Sequence, residues 1–123
     1  MRKAALLLLL LLGGCAYLSP AKFDTIETAS YIEVWQWGSR YDEACGDRPR
    51  EHYALTGLAV TMERLSLLVT YGPDEDSKKI FSATLKVVRE ASTGASYEFC
   101  KETASNIKKA AEHALRAVGR RPR

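Results

Sequence analysis

This chain carries little that is suited to chemistry. It has two histidines, His52 and His113, each directly preceded by a glutamate. Neighbouring helical residues diverge by about 100°, so neither Glu51–His52 nor Glu112–His113 forms an acid–base pair. HExxH, GxSxG, GxxxxGK[ST] and GxGxxG are all absent, which removes the usual zinc-hydrolase, serine-hydrolase, P-loop and dinucleotide signatures. Three cysteines occur without a CxxC pair or a nearby histidine set, so no metal site is expected. The acid triplet Asp74-Glu75-Asp76 lacks further oxygen ligands at loop spacing and suits a helix N-terminus better than a cation. The formal net charge is only +3, which gives no support to nucleic-acid binding. Long apolar runs are also missing. The one continuous run, Ala4 to Leu12, is nine residues long, far short of the ~20 that cross a bilayer as a helix.

What is present begins with that run. Arg2 and Lys3 precede it, and Gly13-Gly14-Cys15 follow it. A positive start, a short apolar core and small residues at its end describe an export signal. Leu12-Gly13-Gly14-Cys15 resembles the lipobox of bacterial lipoproteins, a resemblance confined to the first fifteen residues. It implies that residues 1–14 are removed, that the Cys15 thiol receives a diacylglyceryl group, and that the new amino terminus is acylated by a palmitate-type chain. Two or three such chains make a stable anchor, whereas one is marginal. In lipoproteins of this type the residue after the cysteine influences sorting. Ala16 is not the aspartate of an inner-membrane signal, which implies the outer membrane of a Gram-negative host. Apart from this covalent lipid on Cys15, no cofactor is expected.

Cleavage before Cys15 leaves 109 residues, the size of one domain. That domain holds 16 Lys and Arg against 15 Asp and Glu and is close to neutral. Its charge is uneven: residues 101–123 carry 7 basic and 2 acidic side chains. Two cysteines, Cys45 and Cys100, remain. In an oxidising periplasm they are expected to pair, closing a loop of about 56 residues and stabilising by roughly 4 kcal/mol. A thiol nucleophile or metal ligand is the minor alternative for them.

Residues 15–23 form the lipidated cysteine and a tether, and the eight after Cys15 reach at most ~28 Å. Residues 24–119 are expected to form a small all-α, four-helix bundle-like domain, with 120–123 as a basic tail. Asp24 or Thr25 caps a first helix that runs to about Ala44 and stops at Gly46. Tyr31, Val34, Gly38, Tyr41 and Cys45 share its inner face. The segment 31–37 is rich in aromatic and β-branched residues, and Phe81, Ala83, Leu85 and Val87 alternate. Both therefore also suit strands, so an α+β fold with strands around 31–37 and 80–88 is the alternative. After a turn at Gly46–Arg50, Leu55, Leu58, Met62, Leu65 and Val69 define a second helix, widened by Val60 and Leu68 and ended by Tyr71-Gly72-Pro73. A third follows Asp74-Glu75-Asp76 and runs to about Ala91 through Ile80, Phe81, Thr84, Leu85 and Val88. The fourth starts at Ser96 and lines up Tyr97, Cys100, Ala104, Ile107, Ala111, Leu115 and Val118, ending at Gly119.

Trp35 and Trp37 point about 200° apart on a helix. The helical reading puts Trp35 in the apolar stripe and Trp37 on its flank beside Glu33 and Arg40. These three, Glu33, Trp37 and Arg40, are the candidate partner-binding residues. The competing reading has both indoles covered by the fold. The tail Arg120-Arg121-Pro122-Arg123 suits either anionic lipid headgroups or a solvated, frayed helix end.

The expectation is a non-enzymatic lipoprotein, facing the periplasm from the outer membrane and binding a protein there, in the manner of an immunity, exclusion or inhibitor protein. The alternative is a structural component of the envelope that forms homo-oligomers or contacts the cell wall. A hydrolase with an unrecognised site is a third, lesser reading.

Overall fold

The computed structural model describes residues 24–72 and 74–121. The signal segment 1–14, the lipidation site Cys15, the tether to residue 23 and residues 122–123 lie outside them. Four helices make up the described chain: α1 (Thr25–Ala44), α2 (Arg48–Tyr71), α3 (Glu75–Val88) and α4 (Tyr97–Gly119). Each begins at a short polar side chain that accepts backbone N–H groups otherwise left without partners. Asp24 accepts from Ile26 and Glu27, Asp47 from Arg50, Asp74 from Asp76, and Ser96 from Phe99. The expected all-α four-helix arrangement is what forms. Both segments that suited strands, 31–37 and 80–88, are helical, because tertiary burial of one face outweighs local β preference.

Two boundaries differ from expectation. Residues 48–50 belong to α2 instead of a turn: Asp47 is the cap and Pro49 sits in the first turn, where its missing N–H costs nothing. The real reversal is confined to Cys45–Asp47, where Gly46 takes φ 93°, a conformation that favours glycine. The third helix ends at Val88, three residues early, and turns there through Glu90 and Ala91 bonds to Val87 and Val88.

α1 packs between α2 and α4, and α3 closes the ring against α4 and α2. Short connections and this neighbour order make an up-down-up-down bundle. Its core is Tyr31, Val34 and Tyr41 of α1, Ala54, Leu58, Met62 and Leu65 of α2, and Cys100 to Val118 along α4. Gly38 lets α1 and α4 approach closely; a methyl added there would meet Ile107 Cγ2 at 2.9 Å. α3 is the lightest wall, burying fully only Ser77 and Thr84. Three expected core positions are exposed instead, Trp35, Val60 and Tyr97. Trp35 lies one step round α1 from the buried row, and Val60 lies on the side of α2 away from Leu58. Tyr97, in register with Cys100 and Ala104, is the first residue of α4.

The bundle is fastened differently at its two ends. At one, Cys45 after α1 is bonded to Cys100 in the first turn of α4, with their Cα atoms 5.8 Å apart. At the other, Arg121, immediately beyond α4, folds back into the bundle. Its Nη1 donates to Glu27 Oε2 at 2.7 Å, and Nε and Nη2 donate to Asp76 Oδ2 at 3.2 and 2.9 Å. The expected solvated tail is therefore corrected at this residue: three carboxylates on α1 and at the start of α3 hold the guanidinium in place. This end, where α1 begins, is the tether end.

Beside that cluster, the Tyr31 hydroxyl is buried with no hydrogen-bond partner among the described residues. Burial, then the charge of Glu27, pushes its phenol well above the ordinary tyrosine range; Arg121 and the nearby Thr84 hydroxyl, whose own proton goes to the Ile80 carbonyl, oppose the shift. A folded-state value above the unfolded one gives stability that is complete below about pH 10 and lost as pH rises beyond it. Tyr31→Phe is therefore expected to flatten the alkaline fall in urea midpoint between pH 9 and 11. At pH 7 it should cost nothing, since an unbonded buried hydroxyl is itself unfavourable. A loss above about 1 kcal/mol at pH 7 would show that the hydroxyl is bonded.

Candidate functional site

The three residues singled out from the sequence come together on one flank of α1, along its seam with α2. Trp37 projects across that seam and lies flat over Gly57, where an added Cβ would overlap the indole ring. The glycine that costs α2 about 1 kcal/mol of helix propensity is thus the seat of the tryptophan. Arg40, one turn along α1, places its guanidinium carbon 4.5 Å from the ring centroid, a cation–π contact worth ~0.5–1 kcal/mol at an exposed site. Tyr53 of α2 meets the indole edge-on, with centroids 5.6 Å apart and planes at 70°, the arrangement that aromatic quadrupoles favour. Trp37 is clamped by three neighbours and stays partly open to solvent.

Glu33 lies one turn before Trp37 and ties the same seam. Its carboxylate accepts from Arg64 Nη1 at 2.9 Å and from Thr61 Oγ1 at 3.2 Å. Both Glu33 and Arg64 are substantially exposed, so the pair orients side chains and adds at most ~1 kcal/mol.

Around this clamp runs a feature that the sequence reading missed. Tyr53, Gly57, Val60, Arg64, Leu67 and Tyr71 follow one another at helical steps of four and three along α2. Four of them are large, apolar and outward: Tyr53 is 65% and Val60 51% exposed, and Leu67 and Tyr71 are open too. Shallow hollows flank Tyr53 on both sides. One of about 260 Å³ is floored by Trp37 and Gly57 and edged by Glu33 and Arg64. The other, about 410 Å³, lies among Arg40, Glu43, Pro49 and Arg50. The signal was in the sequence, as a second apolar row beside the core row.

The remaining candidates scatter. Trp35 emerges on the opposite flank and donates from Nε1 to Glu112 at 3.2 Å, so the two indoles do not share a surface. His52 and His113 are both exposed, near opposite ends of the bundle. His113 edges an apolar hollow between α3 and α4 whose other lining includes Lys79, Ile80 and Ala114 but no carboxylate. Glu51 is buried with Oε1 unpartnered among the described residues and faces away from His52. No group of three His, Cys, Asp or Glu residues converges among the described residues, and no described helix is long and apolar enough to cross a membrane. Against protein-family models, curated proteins and solved structures alike, the chain returns no match.

Proposed function

We propose that this chain is a non-enzymatic lipoprotein, anchored through Cys15 to the outer membrane, whose α1–α2 wall binds a protein partner in the periplasm. The observation that carries the reading is the Trp37 clamp set in an exposed apolar row. A clamped, half-open tryptophan ringed by arginine and tyrosine has the composition of an interface hot spot, and its low remaining freedom reduces the ordering cost of binding. A rigid wall of this kind suits an immunity, exclusion or inhibitor role, which needs a partner and no turnover. The address rests on the lipobox resemblance of residues 12–15.

The test is site-specific photo-crosslinking in intact cells, with the reactive residue replacing Tyr53 or, as a control on the far wall, Lys86. One defined heterologous adduct at position 53, absent at position 86, is the expected result. It should be lost in Trp37→Ala and weakened at least tenfold in Gly57→Ala, where the added methyl displaces the indole at a cost to stability of about 1–3 kcal/mol. Arg40→Gln, which leaves the core alone, should weaken it as well. An adduct with a second copy would favour the assembly alternative; no adduct at position 53 in folded protein would sink the proposal.

A further inference from the structure

We infer that the tether end of the bundle is itself a membrane-contact surface, seated among the phospholipid headgroups of the leaflet that carries the Cys15 lipid. The inference rests on the lipoprotein reading and adds to it how the domain stands. The antiparallel pairing of Glu33 with Thr61 and Arg64 places the first turn of α1 beside the last turns of α2. Ile26, Leu67 and Tyr71 are therefore grouped at the end from which residues 15–23 lead away. All three are exposed, and Tyr71 is 84% so. An aromatic ring with a polar tip, backed by two aliphatic side chains, is the composition that settles at headgroup depth.

The carboxylates at this end balance its cations in number but are engaged: Asp24 caps α1, Asp74 and Asp76 turn in on Arg121, and Glu75 pairs with Lys78. Lys79, Arg116 and Arg120 then have no carboxylate partner among the described residues. Each cation near an anionic leaflet adds to attraction over a Debye length. The eight tether residues span at most ~28 Å, so this end cannot leave the surface by more than about its own width. Tyr53 stands 18 residues from Tyr71 on α2, about 27 Å along the axis, which leaves the Trp37 clamp clear of the lipid.

Full-length lipidated protein, purified from membranes and reconstituted into vesicles of brominated phosphatidylcholine with phosphatidylglycerol, tests this. Wild-type emission comes from Trp35 and Trp37, both away from the tether end. In Tyr71→Trp the added emission should be quenched at least twofold more strongly than that of the wild type. Arg116→Gln with Arg120→Gln should reduce that difference in phosphatidylglycerol vesicles. Protein that floats with vesicles but shows equal quenching of the added tryptophan overturns the contact and leaves the anchor standing. Protein that does not float with vesicles overturns both.

Discussion

Arg121→Met is expected to destabilise the bundle by about 3–5 kcal/mol, more than any surface substitution and out of scale with a position at the edge of the last helix. The reason is what the guanidinium leaves behind. The Arg121 and Glu27 side chains are 5% and 7% exposed. Asp76, at 54%, can turn to water when its partner goes, but Glu27 cannot. Its Oε1 already lacks a partner among the described residues. Its Oε2 would keep only the Ser77 hydroxyl, 3.2 Å away and with one proton to share with Asp74. A buried carboxylate left in that state is the penalty. The double variant Glu27→Gln/Arg121→Met should therefore recover most of the loss, although each single change is harmful. Urea unfolding of the wild type, the two single variants and the double variant at pH 7 reads all of this. A loss below 1 kcal/mol for Arg121→Met would mean that Glu27 is solvated after all.

Arg121 also marks the limit of what local sequence pattern encodes. Its positive charge was plain, and a solvated helix end was a sound expectation for three arginines in four residues. The carboxylate that holds it lies 94 residues away, and nothing in local pattern encodes that contact. The helices were legible because caps, breakers and buried rows agree: Asp24, Gly46 and the row Tyr31–Val34–Gly38–Tyr41 all mark the same α1. Helix α2 shows where such agreement fails. Its row 55–58–62–65–69 and its row 53–57–60–64–67–71 have the same spacing, and both are largely apolar. Periodicity alone cannot say which faces inward, and it places Val60 with the core row although the side chain is exposed. Packing against α1 decides, through Leu58 and Leu65. Glu33, Trp37 and Arg40 were legible as one flank because a helix forces them together. Gly57 was not legible as their platform, since a glycine inside a helix reads as a defect until the ring resting on it is seen.

At the opposite end, replacing Cys45 and Cys100 by alanine is expected to lower stability by about 4 kcal/mol, the chain-entropy value for a loop of their 55-residue separation. For a domain of this size that corresponds to a fall in Tm of roughly 15–30 °C. What would remain at that end is slight. Tyr41 donates to the Ser92 carbonyl at 2.9 Å, and Asp42 pairs with Lys101 and Lys108 at 3.3 and 3.4 Å, partly in solvent. Reducing the wild-type protein should give nearly the same loss as the double alanine variant. Any excess in the variant isolates the packing of the fully buried Cys100, because both lack the cross-link and only one lacks the sulfur. The two fastenings sit at opposite ends and share no partner, so their losses should add to within about 0.5 kcal/mol. Together they amount to ~7–9 kcal/mol, against the 5–15 kcal/mol of a typical domain. Reduced Arg121→Met protein is accordingly expected to be largely unfolded, whereas either lesion alone leaves a folded bundle. Far-UV circular dichroism with and without dithiothreitol distinguishes these states. A reduced Arg121→Met protein that keeps its helicity and a cooperative melt would show that the packed walls, and not the fastened ends, hold this bundle together.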